Sequence, residues 1–175
     1  MLSIRPATTA DIPAIARIYG DSVIAGTATF ELEPPGESEM EARMRQVTAA
    51  GYPYLTAEWN GDFAGYAYAS AYRIRPAYRF TVENSLYVAP DMQRRGVGRA
   101  LMAALIVECE HRGFRQMIAV IGDSPSQTAS IALHKAAGFS VVGTLGDVGF
   151  KHGRWLDTLL MQLALGNGAE SPPAV

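Results

Sequence analysis

The chain has 175 residues, 49% apolar and 18% charged, which is enough for one domain with a filled core and too few charges for a disordered chain. The formal net charge of −2 excludes a global attraction to nucleic acid or an anionic membrane, so any phosphate binding must be local. One cysteine, Cys109, excludes an internal disulfide and a cysteine-rich metal site, and no metal is expected. "MLSIRPATTADIP" lacks the apolar segment of a signal peptide, and no run approaches the ~18 apolar residues of a membrane span. A cytoplasmic protein is expected.

Residues 2–6 read as a short strand. Ile12, Ile15, Ala16 and Tyr19 then recur at i, i+3, i+4 and i+7, the stripe of an amphipathic helix, with Pro13 tolerable in its first turn. A loop holding Thr27, Thr29, Phe30, Pro34 and Pro35 leads to a second helix over 37–49, which buries Met40, Met44 and Val47. Two strand-like runs flank Asn60-Gly61, a hairpin signal. "TVENSLYVAP" is a strand ended by Pro90. Residues 98–112 form a helix with Leu101, Leu105 and Cys109 on one stripe, stopped by Gly113. "QMIAVIG" reads as a central strand buried on both faces. A helix over 126–137 and strands near 140–145 and 155–163 follow. The order describes one α/β domain over residues 1–165, a mixed sheet flanked by helices, with residues 166–175 as a disordered tail.

Between a strand and a helix, "QRRGVGRA" places two glycines and three arginines within eight residues. Amides at a helix N-terminus point outward unpaired, and the helix dipole adds partial positive charge, so the segment can hold phosphate. A dinucleotide fingerprint needs a third glycine where Leu101 stands, and a Walker loop needs G-x-x-x-x-G-K-[ST], which is absent. Gln93, Gly96 and Gly98 instead satisfy Q/R-x-x-G-x-G/A. A plain capped helix with a solvated basic start is the alternative.

That pattern resembles the pyrophosphate-binding segment of the GCN5-related N-acetyltransferases, and the order of strand, cradle, helix, apolar strand and helix ending in Gly-Phe agrees over roughly residues 2–163. "TATFELEP", "TVENSLYVAP", "SIALHKAAGF" and "GFKHGRWLD" look like the branch acting on phosphinothricin and methionine sulfoximine. The resemblance implies acetyl-CoA as cosubstrate, contacted by Leu86, Tyr87 and Val88 and held by Arg94, Arg95, Gly96, Val97, Gly98 and Arg99. Gln127 stands where many relatives place a cofactor-binding asparagine.

Acetyl transfer from a thioester to an amine needs a proton acceptor for the ammonium, polarisation of the carbonyl and a proton for the thiolate. Glu83 begins the strand that ends at the cofactor, and relatives carry a proposed base at the matching position. His134 stands where the wider superfamily has a tyrosine thought to protonate the thiolate; the alternative is a histidine that only packs beside the cofactor. A backbone N–H near Tyr87 or Val88 is the expected carbonyl donor. For the acceptor, "YRIRPAYRF" offers guanidinium groups suited to carboxylate or phosphinate oxygens. The resemblance implies Arg75, Pro76 and Ala77 with Asn84 and Ser85 as acceptor contacts. Arg73, Phe30, Glu31 and Lys151 are further pocket candidates, and His152 and Trp155 can complete the pocket across a homodimer interface. Rival readings are acetylation of protein N-termini or a polyamine, and a non-catalytic acyl-CoA-binding regulator.

Overall fold

A computed structural model describes residues 1–173. Seven strands form a single sheet in the order β1-β2-β3-β4-β5-β7-β6. They are β1 (Leu2–Pro6), β2 (Tyr54–Trp59), β3 (Asp62–Ala71), β4 (Thr81–Val88), β5 (Gln116–Gly122), β6 (Ser140–Lys151) and β7 (Arg154–Ala164). Helices α1 (Ile12–Ala25), α2 (Glu37–Ala49), α3 (Val97–His111) and α4 (Thr128–Ala136) flank it. All neighbouring strands are antiparallel except β4 and β5.

The predicted helical stripes are the buried ones. Ile12, Ile15 and Tyr19 of α1, Met40 and Met44 of α2, and Leu101, Leu105 and Cys109 of α3 all enter the core. Asn60 and Gly61 both take positive φ, 54° and 94°, the hairpin turn expected between β2 and β3. A second such turn, His152 (φ 52°) and Gly153 (φ 75°), joins β6 to β7 and carries β6 through Lys151, well past the expected end near 145.

β5 departs from its expected burial. Met117, Ala119 and Ile121 are buried, but Val120 is exposed, because β5 keeps β4 as a neighbour for only three residue pairs, Thr81–Gln116 to Glu83–Ile118. Beyond Glu83 the two strands part, and the gap between them is open. Residues 166–170 form hydrogen-bonded turns, and Arg115 donates to the Gly168 and Pro172 carbonyls and to Ser171 Oγ at 3.4–3.5 Å. The last two residues of the expected tail, 174 and 175, lie outside the described residues.

Candidate active site

The parting of β4 and β5 opens a cavity of about 730 Å³ whose lining runs from Tyr19 and Phe30, along Glu83 to Val88, to Arg94, Gly96, Gly98 and Arg99. The backbone of β4 supplies its polar edge. Ala89 N–H donates to the Ala64 carbonyl and Tyr72 N–H to the Thr81 carbonyl, so the odd-numbered peptide groups of β4 bond to β3. Ladder alternation therefore turns the N–H and C=O groups of Leu86 and Val88 toward the gap. Of the two expected carbonyl donors, Val88 N–H faces the cleft and Tyr87 N–H faces β3.

Side chains on β4 divide between the two faces of the sheet. Tyr87 meets Tyr19 of α1 edge-on, with ring centroids 5.3 Å apart, and Glu83 and Ser85 share its alternation. Asn84 and Leu86 point to the other side, where Asn84 reaches His134 of α4. Of the acceptor candidates on β4, Ser85 thus stands toward α1 and Asn84 toward α4; of the cofactor candidates, Leu86 stands toward α3 and α4, whereas the Tyr87 ring turns to α1.

At the cofactor end, Gly96 takes φ +83°, a conformation that costs an L-residue about 1–2 kcal/mol, and caps α3. Ala100 N–H bonds the Gly96 carbonyl at 3.0 Å. Helix geometry then leaves the amides of Val97, Gly98 and Arg99 without intrahelical acceptors. Among the described residues no side chain caps them. Three outward amides at a helix N-terminus, with the exposed Arg94 and Arg99 beside them, fit a pyrophosphate. Gln127 also lines the cavity, whereas Arg95 turns aside, its guanidinium 5.9 Å from the Trp59 ring centroid.

Glu83 sits at the vertex where β4 and β5 part. Burial raises its carboxyl above the usual carboxylate range, and the positive charge of Arg73 opposes this. It has no hydrogen-bond partner among the described side chains, and so its oxygens are free to take a proton. His134 is 5% exposed, and burial lowers its pKa, partly offset by the hydrogen bond to the Ser130 carbonyl.

The acceptor-side candidates divide. Phe30, Asn84 and Ser85 line the cavity. Glu31 accepts from Tyr19 Oη (2.9 Å) and Arg43 (2.6 Å), and against the opposing effect of burial these bonds keep its carboxyl low. The Tyr19 proton goes to Glu31, so the Thr29 hydroxyl donates to Tyr19 Oη at 3.0 Å. Lys151 is buried and donates to the Thr29 carbonyl at 2.9 Å; burial lowers its pKa, opposed by Glu31. Both charges hold the loop after α1 and neither lines the cavity. Arg73, Arg75, Pro76 and Ala77 are exposed on the loop between β3 and β4, outside the cavity wall.

Sequence reasoning missed contributors of two kinds, side chains outside any motif and the seat of a ring. Tyr68 and Thr158 line the cavity from β3 and β7, and neither belongs to a motif. The second is the seat of Phe30. A Cβ on Gly122 would lie 2.5 Å from Phe30 Cε1, and one on Gly149 would lie 2.3 Å from Cε2, so both glycines make room for the ring. Asp123 clamps the same loop, bonded to Thr27 Oγ1 (2.7 Å) and Arg154 (3.1 Å). Among the described residues no group of three or more His, Cys, Asp or Glu side chains can hold a metal ion, and no helix is long and apolar enough to cross a membrane.

Comparison with known proteins agrees with this geometry. The chain is 53% identical over 163 residues to a phosphinothricin N-acetyltransferase of Alcaligenes faecalis, covering 93% of this chain and 82% of that protein. It is 38% identical over 171 residues to the L-methionine sulfoximine/L-methionine sulfone acetyltransferase of Pseudomonas aeruginosa, covering 97% and 98%. The crystal structure of a phosphinothricin acetyltransferase from Sinorhizobium meliloti in complex with acetyl-CoA superposes with a TM-score of 0.95 at 49% identity, covering 99% of this chain and 93% of that one. Residues 15–139 match the acetyltransferase (GNAT) family. With its splayed β4–β5 gap and its amide cradle, the chain belongs to that family as an acetyl-CoA-dependent N-acetyltransferase.

Proposed function

We propose that the protein acetylates the α-amino group of a small amino acid with a tetrahedral polar terminus, of the phosphinothricin, methionine sulfoximine or methionine sulfone type. The observation that carries this reading is the vertex of the cleft. A half-buried carboxylate, Glu83, stands where β4 and β5 part, between a phosphate cradle on one side and a pocket walled by Tyr19, Phe30 and Tyr68 on the other. An amino acid's amine is mostly protonated at neutral pH, and Glu83, with its raised affinity for protons, accepts that proton directly or through water. Val88 N–H then receives the charge that develops on the thioester carbonyl oxygen. His134 supplies the proton for the departing thiolate. Arg73 and Arg75 carry the acceptor's anionic oxygens; neither forms a salt bridge among the described residues. The names of the relatives support the same substrate class.

The test is CoA-thiol release from acetyl-CoA in the presence of phosphinothricin, methionine sulfoximine, methionine sulfone, spermidine or an N-terminal peptide. Release is expected with the first three. Release with only spermidine or the peptide would overturn the substrate class, and acetyl-CoA binding without any release would support the regulator reading.

The same reading places the enzyme in the cytoplasm as a homodimer, with a role in resistance to amino-acid toxins. Support for pairing comes from β6, an edge strand of 12 residues. Val141, Val142, Leu145, Val148, Phe150 and the neighbouring Trp155 are 50–62% exposed on this hairpin, a cluster of large apolar side chains along an open sheet edge, which suits an interface. Sedimentation should show a dimer, and Val142→Asp with Trp155→Asp should return it to monomer.

A further inference from the structure

The hydrogen bonds around His134 determine its protonation without reference to any ligand. His134 Nδ1 lies 2.8 Å from the Ser130 carbonyl oxygen, which can only accept, so Nδ1 carries a hydrogen. In the neutral ring Nε2 is then a bare acceptor. It lies 3.0 Å from Asn84 Nδ2, whose amide hydrogen fills the lone pair. Both ring nitrogens are occupied, and the resting His134 has no proton to give into the cavity. Asn84 is itself 8% exposed, and its Oδ1 is buried with no hydrogen-bond partner. A buried amide oxygen left alone is unfavourable, so the amide has an unused acceptor beside a ring that can gain a proton.

We infer that Asn84 is a positioning residue: its side-chain amide donates to Nε2 of His134 in the neutral Nδ1–H tautomer and, by turning about its last torsion, presents Oδ1 to Nε2–H when the ring is protonated. The amide thus has two orientations and the imidazole two charge states, matched one to one. In the first, Nδ2–H donates to Nε2 and Oδ1 is alone. In the second, the ring has gained one proton at Nε2 and one positive charge, and Oδ1 accepts that hydrogen. The ring takes that proton from bulk water; when a thiolate replaces Oδ1 as its acceptor, the transfer leaves a neutral ring, a neutral thiol and the first orientation, with no change of oxidation state. Asn84 is assigned above to the acceptor side by resemblance, but its side chain stands on the cofactor side of β4, against α4.

The surroundings leave this pair in control of the ring. From α4, Ser130 contributes its carbonyl and the adjacent Lys135 is exposed; the edge of Phe139 covers the ring at a centroid distance of 5.0 Å. The charged groups lining the same cavity are Glu83 from β4 and Arg94 and Arg99 from the cradle, whereas β5 and β7 present only Ala119, Val120, Ile121, Gly122 and Thr158 there. Glu83 neighbours Asn84 in sequence, but strand alternation sends its side chain to the opposite face.

The function of this pair rests on the acetyltransferase reading, but its geometry can be tested without turnover. Long-range proton–nitrogen NMR of the full chain labelled at histidine nitrogens reports tautomer and charge for each of the three histidines, with His134 assigned by loss of its signal in His134→Asn. The wild-type ring should be the Nδ1–H tautomer and should stay neutral to lower pH than a free histidine. Asn84→Asp, which places a carboxylate where the amide was, should raise its titration midpoint by about 1 pH unit or more. Asn84→Leu removes the partner of Nε2 but leaves the Ser130 bond. The Nδ1–H tautomer should therefore persist while the midpoint falls, because the protonated ring loses its Oδ1 acceptor, with the acidic limb of kcat moving by the same amount as the NMR midpoint. An Nε2–H tautomer in the wild type, or a midpoint unchanged in both variants, overturns the proposal. Failure of the substrate panel with the NMR pattern intact would instead overturn the proposed acceptor alone.

Discussion

The two ends of the central cleft are built by different means. At the cofactor end, residues 86–99 are contiguous, and the binding groups are main-chain amides exposed by the start of α3 and by the free edge of β4. At the acceptor end, Tyr19, Phe30, Tyr68, Ser85 and Thr158 arrive from five separated parts of the chain. Their loop is held by Lys151, Asp123 and two glycines that lie about a hundred residues away or more. The cofactor end recognises a fixed chemical group by local backbone geometry. The acceptor end is a tertiary assembly, which can be altered by changes that leave the cradle intact.

The largest expected effect falls where the two ends meet. Glu83→Gln should lower kcat by about 10²-fold or more with any amine acceptor, the scale of a positioned proton acceptor. In the wild type, kcat/KM should rise with pH as Glu83 loses its proton, over a window above the ordinary carboxylate range because burial favours the protonated form. That limb should vanish in the variant. An unchanged rate and pH profile would remove Glu83 as the base.

The next two changes address each end separately. Gly96→Val forces a β-branched residue into φ +83° and should raise the KM for acetyl-CoA about tenfold, from a penalty of about 1–2 kcal/mol, while the acceptor KM stays within twofold. Gly149→Ala places a methyl group 2.3 Å from the Phe30 ring, and overpacking of this kind costs about 1–3 kcal/mol. It should lower kcat/KM for the acceptor roughly fivefold and leave acetyl-CoA binding, measured by calorimetry, unchanged. If both variants disturb both substrates equally, the two ends are not independent.

The smallest effect sharpens one assignment. Lys151→Met keeps the stem and removes the bond to the Thr29 carbonyl, so it should cost about 1 kcal/mol of stability, or roughly 2–4 °C in melting temperature, with little change in acceptor KM. A large rise in acceptor KM at unchanged melting temperature would return Lys151 to the pocket role expected from the sequence.

The limits of legibility follow the same division. The α1 and α3 stripes, the Asn60-Gly61 turn and the glycine cradle were readable because helix periodicity, positive φ and unpaired helix-start amides are properties of a few neighbouring residues. The His152-Gly153 turn carried a usable signal too, a glycine in the second central position of a two-residue hairpin. Charge in a motif suggests binding, as at Glu31 and Lys151, yet each is taken up by a partner that no spacing reveals: Arg43 twelve residues away, and the Thr29 carbonyl 122 residues away.

The chain's own order of residues therefore carried the order of elements and the glycine cradle, and through the resemblance the cosubstrate, since these depend on local pattern along β4, its loop and α3. The separation of β4 from β5 after Glu83, the division of β4 side chains between α1 on one face and α4 on the other, and the pairing of Asn84 with His134 depended on packing. They arise when strands and helices distant in sequence meet in space, and a hydrogen bond spanning fifty residues leaves no trace in the spacing of either partner.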